Sequence, residues 1–91
     1  MAEVICDVTD GLRPEEATVA IEDVDGGQQF LRVEREFLSQ RGKKWYLPVG
    51  VVGEDPRQKV VLIELPHEAD SGANRLWVRR EKLFWPNRIP A

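Results

Sequence analysis

The 91-residue chain is 42% hydrophobic and 32% charged, which is too apolar for a disordered protein and ordinary for one small globular domain spanning residues 1–91. No apolar run approaches the roughly 18 residues of a membrane span, and the acidic first ten residues lack the pattern of a secretory signal peptide. Cys6 is the only cysteine, so an intrachain disulfide is excluded and we expect a cytoplasmic protein with a buried thiol at this position.

Charge is distributed unevenly along the chain. The net charge of −3 argues against strong nonspecific binding of polyanions. Residues 1–40 hold three basic and ten acidic residues, a net charge of −7, whereas residues 41–91 hold ten basic and six acidic residues, a net charge of +4. Such a division indicates either an interaction surface or two parts of a barrel whose charges compensate each other, and the sequence leaves both open.

The N-terminal part of the chain predicts strands. In "EVICDV", Val4, Cys6 and Val8 fall on one side of an alternating pattern, which is typical of a half-buried strand. Residues 14–24 are ambiguous, because a proline followed by two glutamates favours the first turn of a helix while several β-branched residues favour a strand. The sequence Asp25-Gly26-Gly27 is a strong turn signal, so we expect a hairpin of residues 17–25 with residues 28–38.

A second group of strands follows the turn "SQRGK". The segment "KKWYLPVGVV" alternates, but Pro48 cannot donate to a strand ladder, so this strand is an edge at that point or starts afresh after a bend. In the turn "GEDPR", Asp55 is placed to bond the backbone. The segment "QKVVLIEL" is the most continuously apolar, and we expect it to lie centrally in the sheet.

The last elements are a loop, "PHEADSGA", a strand, "NRLWVR", and a short 3₁₀ or helical turn, "REKLFW", ended by Pro86. Short strands at close spacing with Gly and Pro turns predict an all-β fold, a small barrel of five to six strands with an N-terminal hairpin and a C-terminal 3₁₀-like turn.

Over residues 45–85, the order of strand, turn, central strand, loop, shorter strand and 3₁₀-like turn resembles SH3-like barrels. The resemblance implies only an architecture, because that class includes peptide-binding, nucleic-acid-binding and subunit-docking domains. The aromatic signature of the peptide-binding SH3 family is absent, so binding of proline-rich peptides is not inferred.

The segment "ELPHEADSGANRLWV" holds the only histidine, His67, together with Asp70 and Ser71. A Ser-His-Asp triad needs a scaffold that fixes three groups in order, and a metal site needs dedicated ligands with supporting partners, whereas these residues share one short loop beside Gly72. Asp and Ser before Gly are also typical of a turn. We therefore expect a turn, no enzyme activity, no metal and no cofactor.

The next strand provides the candidate site. Alternation in "NRLWVR" puts Leu76 and Val78 on one face and Arg75, Trp77 and Arg79 on the other. An outward Trp between two arginines is the residue mix of interface hot spots. Alternatively, the N-terminal strands or the "LFWP" segment cover this face and make it a second small core.

Tyr46 falls on the outward register of its own strand, so the predicted partner-binding patch comprises Trp77, Arg75, Arg79 and Tyr46. We expect a non-enzymatic interaction module that docks a protein partner or a second copy of itself, with no membrane association and no evident small-molecule substrate. Nucleic-acid binding by the same aromatic and basic residues is the alternative, which the acidic first half weakens.

Overall fold

A computed structural model describes residues 2–86. These residues form eight antiparallel strands and two short 3₁₀ turns, with no α-helix, and the strands curl through 296° into a half-barrel. The predicted all-β fold is confirmed. The elements are β1 (Ala2–Asp10), β2 (Glu16–Glu22), β3 (Gln28–Glu34), a 3₁₀ turn (Arg35–Phe37), β4 (Ser39–Arg41), β5 (Lys44–Asp55), β6 (Val60–Glu64), β7 (Arg75–Arg79), a second 3₁₀ turn (Arg80–Lys82) and β8 (Leu83–Phe84).

Two long strands connect the parts of the sheet. The strand order is β3-β2-β1-β5-β6-β7, with β4 on β5 and β8 on β1. The N-terminal part of β1 pairs with β5 and β8, whereas its residues from Asp7 to Asp10 pair with β2. β5 likewise pairs with β1 and β4 near its start and with β6 after Gly50, and its register to β6 shifts between Val51 and Gly53. Because a bulge of this kind bends its strand, β1 and β5 turn the sheet around the core.

The core follows the alternation of the sequence. On β6 and β7 every second residue is buried, and the same holds on β2. The inward residues of the strands form one cluster with two residues of the loop after β6, at exposures of 7% or less. Its members are Ala2, Val4, Cys6, Val19, Ile21, Leu31, Val33, Leu47, Val49, Val61, Ile63, Leu65, Ala69, Leu76 and Val78.

β3 and β7 are the two ends of the strand order, and no ladder joins them within residues 2–86. Backbone hydrogen bonds from loops span the gap between them. The Val24 N–H donates to the Trp77 carbonyl at 2.9 Å, and the Asp70 N–H donates to the Phe30 carbonyl at 2.7 Å. The Ser71 hydroxyl adds a bond to Gln29 Oε1 at 2.8 Å. Turn and loop therefore close the half-barrel.

The predicted N-terminal hairpin is present as β2 and β3, so the helical interpretation of residues 14–24 is wrong. The turn differs from the expected two-residue type, because five residues, Asp23 to Gly27, separate the strands. Asp23 Oδ1 accepts the N–H groups of Asp25 and Gly27 at 3.0 and 2.9 Å, and Gly26 adopts a positive φ of 83°. The carboxylate thus organises a longer loop than the Gly-Gly pair alone suggests.

Three further predictions have clear outcomes. On the edge of β5 that faces away from β1, residues 44–46 pair with β4, and residues from Gly50 onward pair with β6. Pro48 lies between these two paired segments, so its missing N–H costs no ladder bond on that edge. Asp55 accepts the backbone N–H groups of Arg57 and Gln58, as expected for this turn. The 3₁₀ turn at Arg80–Lys82 is confirmed, whereas β6 is an interior strand next to the last one rather than the centre of the sheet.

Cys6 is buried at 7% exposure, as expected. Burial, helped by the neighbouring charge of Asp7, raises the pKa of its thiol to about 12. The thiolate, which is the reactive form, is therefore almost absent at neutral pH.

We expect Asp23→Ala to destabilise the protein by about 1 kcal/mol, because two backbone N–H groups lose their acceptor. The side chain of Gln29 donates to Asp23 and lowers the pKa of that carboxyl below its ordinary value of 3.8, and the two N–H groups add to this effect. The folded state therefore binds this proton less readily than the unfolded state. The stability that Asp23 contributes is present above about pH 4 and is lost as the pH falls further.

Urea unfolding of the wild type, Asp23→Ala and Asp23→Asn between pH 7 and pH 3 measures both effects. The asparagine variant retains an acceptor oxygen without a charge, so it isolates the pH-dependent part. Equal acid sensitivity of all three proteins would contradict the assignment.

We expect the Cys6 thiol to be unreactive toward a disulfide reagent in the native protein at pH 7 and to react fully in guanidinium chloride. Its burial and high pKa both oppose attack. Absorbance of the released thiolate gives the labelling rate, and the denatured protein is the control. Rapid stoichiometric labelling under native conditions would show that β1 opens readily at its junction with β2.

Candidate protein-docking face

The outer face of β5, β6 and β7 is built from three cross-strand rows, set by the strand register. The central row is Gly53, Leu62 and Trp77. The row on one side is Gly50, Glu64 and Arg75, and the row on the other side is Asp55, Val60 and Arg79. We call this surface the Trp77 face. Its central row is apolar, and each outer row carries two charged residues, Glu64 and Arg75 in one and Asp55 and Arg79 in the other.

Trp77 points outward because its neighbours point inward. Leu76 and Val78 are buried at 6% and 0% exposure, whereas Trp77 is 40% exposed. At this exposure the indole is not part of a second small core formed by the described residues. Trp77 is held in place through its backbone, since its carbonyl accepts the Val24 N–H. An aromatic side chain is therefore presented to solvent from a strand fixed on both edges.

Two glycines leave the β5 end of this face bare. Gly50 and Gly53 lie opposite Glu64 and Leu62 on the outer side. A Cβ atom at Gly53 would lie 4.0 Å from the Leu62 Cβ, so a side chain would fit without collision. Sequence reasoning did not identify these residues, although glycine within a strand is a known sign that another group approaches the backbone.

The two arginines of the face differ in their electrostatic surroundings. Arg75 Nε donates to Glu64 Oε2 at 3.0 Å, and both side chains are about half exposed. Arg79 is exposed and has no ion pair or side-chain hydrogen bond within residues 2–86. Arg79 is thus free to meet an anionic group, whereas Arg75 already has a carboxylate partner.

Tyr46 lies on a different surface from Trp77. Its ladder partners are Ile5 and Ser39, and its ring centroid is 5.9 Å from that of Phe84. The guanidinium of Arg41 lies 4.2 Å from the Phe84 centroid. Seven residues of β5 separate Tyr46 from Gly53 in the Trp77 row, which is roughly 20 Å of extended strand. The structure therefore brings Trp77, Arg75 and Arg79 together and leaves Tyr46 apart from them.

The other tryptophans are less exposed than Trp77. Trp45 is partly buried and packs against the core, as does Trp85. Phe30 is 45% exposed but lies on the outer face of the β2–β3 hairpin. Phe30 is therefore a useful comparison for Trp77, since it is an outward aromatic residue on a different part of the sheet.

The polar loop after β6 does not bring its histidine, aspartate and serine side chains together into one site. His67, Asp70 and Ser71 are all exposed, and no hydrogen bond joins them to one another in the part of the chain that the structure describes. The Ser71 hydroxyl instead bonds Gln29 and accepts the Ala73 N–H. Ala69, within the loop, is buried at 5% exposure. The loop thus packs through Ala69 and bonds β3 through its backbone.

Residues 2–86 contain no group of three or more His, Cys, Asp or Glu side chains placed to hold a metal ion. Nor does this part of the chain contain a helix long and apolar enough to cross a membrane. Protein-family models, curated proteins and solved structures were all compared with the chain, and none matches it significantly.

We expect Ala69→Asp to destabilise the protein by about 2 kcal/mol, because it places a carboxylate among the buried residues of the core cluster. His67→Ala is expected to change stability by less than about 0.5 kcal/mol, since the imidazole is exposed. Urea unfolding followed by tryptophan fluorescence measures both variants. A large loss of stability in His67→Ala would reveal a structural role for the imidazole.

Proposed function

We propose that this chain is a non-enzymatic docking module that binds a protein partner through the Trp77 face. The observation that carries the proposal is a 40% exposed tryptophan at the centre of an apolar row on a rigid sheet. Tryptophan and arginine are the residues most enriched at the energetic centres of interfaces, where a polar rim excludes water. The Arg75–Glu64 pair and Arg79 occupy the positions of such a rim.

The same proposal includes the type of barrel to which the half-barrel belongs. The curled sheet and the 3₁₀ turn before the last short strand support an SH3-like barrel extended by the β2–β3 hairpin. The turn of this hairpin reaches β7 through the bond from the Val24 N–H to the Trp77 carbonyl, and the Trp77 side chain is still 40% exposed. This exposure supports a partner-binding role for the outer face of β6 and β7.

Nucleic-acid binding is the alternative, and the arrangement of aromatic rings disfavours it. Single strands bind platforms on which successive bases stack on several aromatic side chains. Trp77 is the one aromatic residue in the three rows of its face, and Tyr46 pairs with Phe84 on another surface. A single indole with neighbouring arginines suits one anchor side chain of a protein better than a run of bases.

Affinity capture with four matched baits tests the proposal. We expect the wild type and Phe30→Ala to retain a partner that Trp77→Ala and Gly53→Glu lose, with a loss of at least about tenfold in affinity. Gly53→Glu adds bulk and charge to the face without removing any packing, so it remains informative if Trp77→Ala is unstable. Phe30→Ala removes an aromatic residue of similar exposure elsewhere.

The partner must then bind in purified form, measured by calorimetry with the same four proteins. Sedimentation at micromolar concentration shows whether a second copy is that partner. Equal binding by all four proteins, or a monomer with no partner dependent on Trp77, would refute the docking face. Stronger binding of single-stranded DNA or RNA than of any protein would establish the alternative.

A further inference from the structure

We propose that a basic concavity beside the Trp77 face binds carboxylate side chains of an acidic segment in the docked protein. The concavity has a volume of about 520 Å³ and is lined by Gln58, Lys59, Arg79, Arg80 and Glu81. It lies where the β5–β6 turn meets the second 3₁₀ turn. The inference rests on the proposed function for the identity of the partner, and it adds the chemistry of the segment that binds.

The backbone holds the two walls of the concavity together. The Arg80 N–H donates to the Lys59 carbonyl at 2.9 Å, which ties the β5–β6 turn to the end of β7. Asp55 fixes the same turn by accepting two backbone N–H groups. The positively charged side chains therefore project from a connected framework rather than from two independent loops.

The cations of the concavity lack acidic partners. Within residues 2–86, the arginines that form ion pairs are Arg13, Arg35, Arg41 and Arg75. Lys59, Arg79 and Arg80 form no ion pair with any described residue, and among those residues Glu81 is the one whose carboxylate lines the concavity. Three like charges around a single carboxylate repel one another, and an external anion would relieve this repulsion.

The backbone conformation of Lys59 also supports a functional role for this residue. It is the one residue other than glycine with a positive φ in the part of the chain that the structure describes, at 57°. This backbone conformation is costly for a lysine, and asparagine or glycine would adopt it more readily. A lysine at such a position supplies a charge where a turn alone would favour a neutral residue.

The spacing between Trp77 and Arg79 fits an extended segment of the partner. Trp77 and Arg79 are two residues apart on the outer side of β7, which is roughly 7 Å. An extended partner segment would thus place an apolar residue on the indole and an acidic residue, two positions along, at the concavity. The ligand is a carboxylate on such a segment rather than a nucleic acid, because the three cations line a single concavity together with Glu81. A phosphate backbone instead requires cations spread along its path.

Amide NMR titrations of the whole chain with hexaglutamate, inorganic phosphate and single-stranded oligodeoxythymidylate test the inference. We expect hexaglutamate to shift the signals of Lys59, Arg79 and Arg80, and added salt to reverse the shifts. The double variant R79E/R80E should bind hexaglutamate at least about tenfold more weakly. The matched control K43E/K44E changes the net charge equally at exposed positions outside the concavity and should bind normally.

The other outcomes overturn the carboxylate site or separate it from the docking face. Tighter binding of the oligonucleotide or of inorganic phosphate would identify a phosphate site, and equal weakening by both double variants would show a diffuse charge effect. If hexaglutamate does not bind while Trp77-dependent capture persists, the carboxylate site is refuted and the docking face stands. If hexaglutamate binds but Trp77→Ala and Gly53→Glu retain every partner, the docking face is refuted and the anion site stands.

Discussion

The fold depends on two strands that each change partners along their length. β1 leaves β5 after Cys6 and continues on β2, and β5 leaves β1 and β4 to continue on β6. Three short antiparallel sheets thereby become one curved surface around a common core. A chain of this size can build only one modest core, so inward residues from all three sheets share one cluster. The register shift between Val51 and Gly53 bends β5 where this sharing begins.

The same curvature determines which residues can act together. β7 is the last strand of the order, and its inward residues Leu76 and Val78 anchor it to the core. Trp77 consequently faces outward over a row that ends in a bare glycine. The turn after β5 comes back against the end of β7 through the bond between Lys59 and Arg80. An apolar row and a cluster of cations without acidic partners therefore lie side by side. Neither β7 nor the turn after β5, taken alone, would indicate such a surface.

Much of this organisation could be predicted from the sequence, and the remainder has a physical reason. Period-two alternation identified the inward and outward residues of β7, and turn chemistry identified the roles of Asp55 and the 3₁₀ turn at Arg80–Lys82. Alternation does not show which outward residues of different strands share one surface of a curled sheet, so the predicted patch grouped Tyr46 with Trp77 although Tyr46 lies beside Phe84 on another surface. Local propensity also missed the five-residue turn, because the bonds made by Asp23 depend on side-chain geometry. The short strands β4 and β8 exist only through their pairing with β5 and β1.

The loop contacts that close the half-barrel also protect its ends. A strand at the end of a sheet exposes backbone donors and acceptors that a neighbouring molecule can pair with, and long exposed edges lead to aggregation. Here the carbonyls of Trp77 and Phe30, one on each terminal strand, are occupied by amides of the chain's own turn and loop. The turn that contains Val24 and the loop that contains Asp70 thus occupy positions at which a strand of another molecule would otherwise pair. The chain therefore presents an exposed aromatic side chain on β7 while part of the backbone edge beside it is already paired.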